Sequence, residues 1–210
     1  MNTSLNVRTV ATLLAVAATA TALSACGALI VGGAMVGGAM MASDRRSSGA
    51  QVEDQAIELK AGARVKEAIG ERGHVNVTSY NRVVLLTGEV PSEADRVSVE
   101  QAVSRIENVR SVVNELAAMG NSSLSARSSD AIVSGQVKAA FIDAKELQAN
   151  SLKAVTERGT VYLMGRVTER EAVMATERAR SVRGVLKVVR VFEIVTEAEL
   201  ADLQPKPPAK

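Results

Sequence analysis

The sequence predicts an α+β protein built from two small tandem domains, each with the element order α-β-β-α-β. The main observation is a duplication, because the apolar run at residues 83–90 returns at residues 160–167. Both runs are rich in β-branched and large apolar residues, which favours a mostly buried strand. Each run has a glycine at its sixth position, Gly88 and Gly165, which indicates a turn, a bulge or a close backbone approach. Each run is also followed by a hydroxyl residue with an acid three residues later, a pattern typical of a helix start.

The first domain is predicted to span residues 55–117. Its opening helix carries a stripe of apolar side chains at helical spacing: Ile57, Ala61, Val65, Ala68 and Ile69. Asn81-Arg82 is the expected turn between the first two strands, and Ser92 is the expected N-cap of the second helix. Residues 109–116 then supply the third strand. His74 falls in a polar turn of this scheme and is given no role.

The second domain is predicted to span residues 128–196, after a linker at residues 118–127 rich in small and polar residues. Its first helix reproduces the apolar stripe of the first domain: Val133, Val137, Ala140 and Phe141. The strand runs, the turn and the capped helix follow in the same order. Residues 197–210 form a tail with three prolines, which predicts disorder.

The composition argues against several classes of function. The net charge is +2, whereas a nucleic-acid-binding protein would carry a basic excess. Aromatic residues make up 2 % of the chain, which leaves little for stacking on bases or sugars. The single histidine disfavours metal sites and His-based catalysis, and no Ser, Asp or Lys motif stands out. We therefore expect no enzymatic activity, no catalytic residue, no cofactor, no metal and no nucleic-acid partner.

The N-terminus is predicted to direct export and lipidation. Residues 1–25 combine a basic residue with a long apolar run, as a lipoprotein signal peptide does. They end in Leu-Ser-Ala before Cys26, the only cysteine of the chain, and this resembles the bacterial lipobox. The resemblance implies cleavage before Cys26, a diacylglycerol on its sulfur and an acyl chain on the new amino group. Gly27 stands where an Asp would signal retention in the inner membrane, so the outer membrane, facing the periplasm, is expected.

Residues 26–54 are predicted to be a flexible tether, apolar at first and then polar. The uncharged part, residues 27–42, either lies loosely on the bilayer or packs against another helix through its small residues. It is shorter than the roughly 20 residues of a typical membrane span. Without cleavage, residues 10–42 could cross a membrane instead. Arg45 and Arg46 either meet anionic headgroups or belong to a solvated linker.

The repeated unit resembles the BON domain family. The features that carry the resemblance are the strand-Gly steps at Gly88 and Gly165, the capped helix, and the ending Val-Arg-Ser-Val-Val-Asn at residues 109–114. Two such units behind a lipobox resemble the dual-BON outer-membrane lipoproteins, which bind lipid and act in envelope integrity and cell division. The resemblance implies a three-stranded mixed sheet packed on two helices in each domain, binding of anionic phospholipid through the second domain, and no catalysis. The second copy departs from the pattern, since Arg190 stands where the first copy has Asn114.

The helix predicted to begin near Asp130 carries more apolar surface than its core stripe requires. The side opposite the stripe collects residues that we take as the candidate lipid-binding set: Ile132, Gly135, Lys138, Ala139 and Ile142. The first domain has Lys60, Ala63, Lys66 and Glu67 on the corresponding side, an ordinary solvated face. A helix that is apolar on both sides must be buried twice, or must meet a bilayer or a partner.

Three interpretations of this helix face follow. In the first, its isoleucines enter a membrane weakly and reversibly, while Lys138 favours anionic headgroups. In the second, the face packs against the first domain. In the third, the protein is an adaptor that docks on an envelope or division protein, or on peptidoglycan, through this face or through an edge strand. The family resemblance favours the lipid interpretation.

Overall fold

The computed structural model describes residues 44–203, and it shows two consecutive α-β-β-α-β domains with three-stranded mixed sheets, as predicted. The elements of the first domain are α1 (Ser48–Ile69), β1 (His74–Tyr80), β2 (Val83–Val90), α2 (Glu93–Ser104) and β3 (Ser111–Ala118). Those of the second domain are α3 (Leu124–Asp143), β4 (Leu152–Glu157), β5 (Thr160–Val167), α4 (Glu169–Arg180) and β6 (Lys187–Ile194). A short 3-10 helix (Ala149–Ser151) precedes β4, and α5 (Glu197–Leu203) follows β6.

Each sheet combines an antiparallel hairpin with a parallel crossover. β1 pairs antiparallel with β2, and β3 joins parallel to β2 after the α2 crossover. The second domain repeats this arrangement with β4, β5 and β6. The predicted turn at Asn81-Arg82 is confirmed, with φ angles of 49° and 66° that suit a two-residue hairpin loop. Arg158 and Gly159 form the corresponding turn, with φ angles of 49° and 70°.

The two repeated glycines lie inside the central strands and allow a neighbouring strand to approach closely. Gly88 pairs with Val75, has a φ of 112°, and a Cβ there would lie 2.0 Å from the carbonyl oxygen of His74. A Cβ at Gly165 would lie 2.6 Å from the carbonyl oxygen of Ser151. The expectation of a close backbone approach is therefore confirmed at both positions. Only Gly88 also needs a backbone conformation that favours glycine.

Two helices begin earlier than predicted, because serine caps lie upstream of the apolar stripes. α1 begins at Ser48, so residues 48–54 are helical and not tether. The Ser47 hydroxyl accepts the Ala50 N–H at 3.1 Å. α3 begins at Leu124, inside the predicted linker 118–127, and Ser123 accepts the Ala126 N–H at 3.1 Å. An N-cap hydroxyl satisfies a backbone donor that would otherwise be free.

The prediction of a disordered tail is wrong for residues 197–203, which form α5. Thr196 and Glu199 cap this helix reciprocally. The Thr196 hydroxyl accepts the Glu199 N–H at 3.2 Å, and the Glu199 carboxylate accepts the Thr196 N–H at 2.7 Å. Leu200 of this helix is buried. The pattern Thr-x-x-Glu is the sequence signal that could have identified α5.

Each domain has its own apolar core between its sheet and its helices. In the first domain the predicted stripe residues Ile57, Ala61, Val65 and Ile69 are buried, and Ala68 is partly buried beside them. In the second domain Val133, Val137 and Phe141 are buried in the same way. The duplication predicted from the sequence is therefore a duplication of folding units, each with its own hydrophobic centre.

The two domains pack against each other through the sheet faces that point away from the helices. Four residues form the centre of this contact, Tyr80 and Leu85 from the first sheet and Tyr162 and Met164 from the second. All four are at most 5 % exposed. The central strands are therefore buried on both faces, which explains why their sequences are continuous apolar runs and do not alternate.

Arg45 and Arg46, in the segment before α1, bind other residues of the protein. Neither arginine belongs to a solvated linker or is free to meet a headgroup, the alternatives that the sequence predicted. The Arg45 guanidinium donates to both carboxylate oxygens of Glu171 at 2.7 and 2.8 Å, and to the carbonyl of Arg166 at 2.8 Å. Arg46 pairs with Asp44 and Asp54 and stacks over the Tyr80 ring. The signal peptide, Cys26 and residues 27–42 lie outside the described residues.

Candidate lipid-contact face

Helix α3 lies on the sheet of its own domain. Its buried stripe contacts β4 and the following helix α4, and its C-terminal end contacts the 3-10 helix. Because the two domains meet through their sheets, the outer side of α3 is directed away from the interface between them. The structure thus gives α3 one packed face and one free face.

The outer side of α3 presents the predicted apolar residues to solvent. The side chain of Ile132 is 61 % exposed and that of Ile142 is 64 % exposed. Gly135 and Ala139, which lie between them on the same side, are also exposed. The interpretation in which this face packs against the first domain is therefore wrong. Four of the five candidate residues share one accessible surface, which we call the α3 apolar face.

The ammonium group of Lys138, the fifth candidate, forms hydrogen bonds within its own domain. Its ammonium donates to the carbonyl oxygens of Ala149 and Leu152, the latter at 3.2 Å. Burial lowers the pKa of Lys138 below its usual value. The lysine thus ties α3 to the segment between the helix and β4, and it does not present a free ammonium to a headgroup.

Leu186, Arg183 and Lys187 form a further exposed group on the second domain, around the start of β6. Leu186 is 82 % exposed and lies beside the Arg158-Gly159 turn. The same loop contacts the buried side of α3, because a Cβ at Gly184 would lie 2.9 Å from Val133. Arg183 and Lys187 flank Leu186 and are exposed. The signal that could have found this loop is a large apolar residue next to a lysine, Leu186-Lys187, at a position where the first domain has Arg110-Ser111.

The first domain offers an internal comparison for the α3 apolar face. Ile132 of α3 corresponds to Lys60 of α1, and Ala139 corresponds to Glu67; both charged residues are exposed. Glu67 also pairs with Arg64 at 2.8 Å, as surface residues of a solvated helix commonly do. The two domains share one fold but present opposite surface chemistry at the same place.

Comparison with known proteins identifies the class of this chain. The tandem fold defines a two-domain protein of the α+β class. The model of the BON domain family matches residues 53–119 and residues 129–196. The chain therefore belongs to the BON domain family, with two copies of the domain.

The chain is also similar to proteins of other bacteria. The chain is 35 % identical over 155 residues to a protein named outer membrane lipoprotein DolP from Haemophilus influenzae, a match that covers 72 % of this chain and 80 % of the relative. It is 32 % identical over 154 residues to a 21 kDa hemolysin from Actinobacillus pleuropneumoniae, with 72 % and 79 % of the two chains covered. Among solved structures, a structural protein of the type III secretion system of Chlamydia trachomatis, CdsD, matches with a TM-score of 0.28 and 11 % identity. That match covers 70 % of this chain and 98 % of CdsD.

The localisation predicted from the N-terminus agrees with the name of the first of these relatives, an outer membrane lipoprotein. Within residues 44–203, no helix combines the length and the hydrophobicity that a bilayer crossing requires.

Proposed function

We propose that this chain is a non-enzymatic lipoprotein, anchored through acyl chains on Cys26, that binds anionic phospholipid with its second BON domain. The α3 apolar face carries the proposal, because Ile132 and Ile142 are exposed on it, whereas the first domain has Lys60 and Glu67 in place of Ile132 and Ala139. We propose no cofactor for this binding. The role of the protein would be to support outer-membrane integrity, resistance to envelope stress and cell division.

The size of the apolar face fits reversible contact. Full burial of an isoleucine side chain contributes roughly 1.5–3 kcal/mol, and these two begin about two-thirds exposed. Arg183 and Lys187 beside Leu186 can each add about 1 kcal/mol near an anionic surface. Such contacts are weak in isolation, but an acyl anchor in the same chain keeps the face at high local concentration near the bilayer.

Vesicle co-sedimentation tests the proposal without the contribution of the acyl chains. The chain from residue 43 onward contains both cores and forms one compact unit, so it can be mixed directly with anionic or neutral vesicles. We expect binding to anionic vesicles, weakened roughly tenfold or more by Ile132→Glu, since the change removes an apolar contact and adds repulsion. Unchanged binding of the Ile132→Glu variant would overturn the proposal.

Leu59 supplies the matched control. It lies on α1, is 79 % exposed and belongs to the first domain. Leu59→Glu removes the same kind of apolar surface and adds the same charge, but away from the α3 apolar face. It should leave vesicle binding within about twofold of the unsubstituted chain, whereas equal losses in both variants would indicate nonspecific adhesion.

The adaptor interpretation makes a different prediction. Photo-crosslinking in cells from position 142 should yield phospholipid adducts if the face contacts membrane. A single dominant protein neighbour at that position would instead favour docking on an envelope or division protein.

A further inference from the structure

The only histidine of the chain lies beside two buried carboxylates at the boundary between the domains. His74 is the first residue of β1, not part of a turn, and it pairs with Glu89 of β2 across the hairpin. Glu157 is the last residue of β4 in the second domain. One ligand atom from each of these three residues lies within 4.8 Å of the other two. Sequence spacing could not show this cluster, because packing of the two sheets brings Glu157 to the first domain.

Glu89 has one carboxylate oxygen without a hydrogen-bond partner. Its side chain is fully buried. The Oε2 atom accepts from the N–H and the hydroxyl of Ser122 at 3.2 and 3.1 Å, and lies 3.3 Å from His74 Nδ1. The Oε1 atom has no hydrogen-bond donor within the part of the chain that the structure describes. A buried anionic oxygen without a hydrogen-bond donor is unfavourable, so it points to a ligand.

The charges around the cluster do not cancel. Glu89, Glu157 and Asp130 supply three carboxylates, and the guanidinium of Arg158 lies beside them, with its Nε 4.0 Å from Glu89 Oε1. Asp130 already accepts the backbone N–H groups of Arg158 and Gly159 at 2.8 and 2.9 Å. The remaining negative charge is concentrated on Glu89 and Glu157, next to an imidazole.

We propose that His74, Glu89 and Glu157 bind a divalent transition-metal ion of the Zn²⁺ type, which bridges the two domains. One imidazole nitrogen and two carboxylate oxygens form a ligand set that Zn²⁺ accepts, with a water molecule in the fourth position. The ligand atoms must move from a spread of 4.8 Å to about 3.3 Å for tetrahedral coordination, a shift that side-chain rotation can supply.

Neighbouring side chains already orient both carboxylates. Asn76 donates to Glu157 Oε2 at 3.0 Å, and Ser122 donates to Glu89 Oε2. Hydrogen bonds of this kind fix ligating carboxylates in known metal sites. Because two ligands come from the first domain and one from the second, the complete site exists only while the sheets are packed together. The ion would therefore strengthen the interface between the domains.

Zinc titration of the full-length lipidated chain, purified in detergent without a polyhistidine tag, tests this site. Calorimetry should show saturable binding of one Zn²⁺ per chain. His74→Ala and Glu157→Gln should each weaken that binding at least about tenfold. Zn²⁺ should raise the melting temperature of the unsubstituted chain, a chelator should reverse the rise, and the two variants should show no rise.

One further variant keeps the test specific. Glu146→Gln removes an exposed carboxylate outside the cluster and should retain the affinity for Zn²⁺. Circular dichroism without metal establishes that His74→Ala and Glu157→Gln are folded, and Glu89→Gln replaces either one that is not. Absence of saturable Zn²⁺ binding, or equal affinity in folded cluster variants, would overturn the proposal.

Discussion

Arg45 joins the segment before α1 to the second domain through a buried ion pair. Its side chain and that of Glu171 are 5 % and 7 % exposed. Burial alone would raise the pKa of Glu171, but hydrogen bonds from Arg45 and Thr168 outweigh that effect, so this pKa lies below its usual value. Glu171 also caps α4 through Thr168. Glu171 thus connects the segment before α1 with the start of α4 in the second domain.

Removing the Arg45 side chain should leave a buried carboxylate without its counter-charge. We expect Arg45→Ala to lower the free energy of unfolding by about 3–5 kcal/mol at neutral pH, measured by urea denaturation. Because the folded pKa of Glu171 is depressed, the stabilisation is present above about pH 4.3 and is lost as the pH falls through the lower folded value. The difference between the two proteins should therefore shrink in acid.

Arg64 provides the control for this prediction. It pairs with Glu67 on the surface of α1, where the two side chains are 59 % and 65 % exposed. Arg64→Ala should change stability by no more than about 0.5 kcal/mol. Similar losses for Arg45→Ala and Arg64→Ala would contradict the assignment of Arg45 as a buried tie.

At the scale of secondary-structure elements, the hairpins depend on the glycines of their central strands. At Gly88 the strained φ and the 2.0 Å approach to His74 act together, whereas Gly165 has only the 2.6 Å approach to Ser151. The glycine of the motif is therefore needed for two reasons in the first domain, the φ angle and the close approach, and for one reason in the second. Both copies of the motif allow a close backbone approach between strands.

Substitution by alanine should separate the two glycines. We expect Gly88→Ala to lower the free energy of unfolding by more than about 2 kcal/mol, and Gly165→Ala to cost less, as measured by denaturant titration. Gly62, inside α1 with no atom within 4 Å of a Cβ, should instead tolerate alanine and gain about 0.5–1 kcal/mol. An equal cost at positions 88 and 165 would show that φ at Gly88 contributes nothing.

At the scale of the whole molecule, the sheet-to-sheet contact makes one folding unit from two cores. Leu85 is fully buried in that contact and points away from the core of its own domain. Hydrogen bonds surround the apolar centre. The Tyr80 hydroxyl donates to the Ser151 carbonyl at 3.1 Å, and the Lys153 ammonium donates to the Glu58 carboxylate at 2.9 Å. The interface thus resembles a small protein interior with a polar rim.

This contact predicts cooperative unfolding of the two domains. Calorimetry of the unsubstituted chain should show a single transition, because unfolding either domain exposes the shared cluster. Leu85→Glu places an unpaired charge in the interface while leaving both domain cores intact, so it should lower the melting temperature and separate the two domain transitions. Two well-resolved transitions in the unsubstituted chain would contradict this account.

Local signals in the sequence were sufficient for the duplication, the element order, the hairpin turns and the buried stripes. A stripe such as Val133, Val137 and Phe141 follows from helical spacing alone, and Asn81-Arg82 follows from the length of the strands around it. The exposed side of α3 was also predictable, because Ile132 and Ile142 lie opposite that stripe. The starts of the helices α1 and α3 were less predictable, because their N-caps, Ser47 and Ser123, lie outside the apolar pattern.

The sequence by itself determined that this chain forms two α-β-β-α-β domains with an apolar helix side in the second, because hydrophobic periodicity and caps act over a few residues. Tertiary structure alone decided where the charged side chains that are withdrawn from solvent find their distant partners. It placed Arg45 on Glu171, turned the Lys138 ammonium toward carbonyls, and brought Glu157 to His74 and Glu89. Those pairings join residues far apart in the chain, and a buried charge takes whichever partner the packing of the two sheets brings within reach.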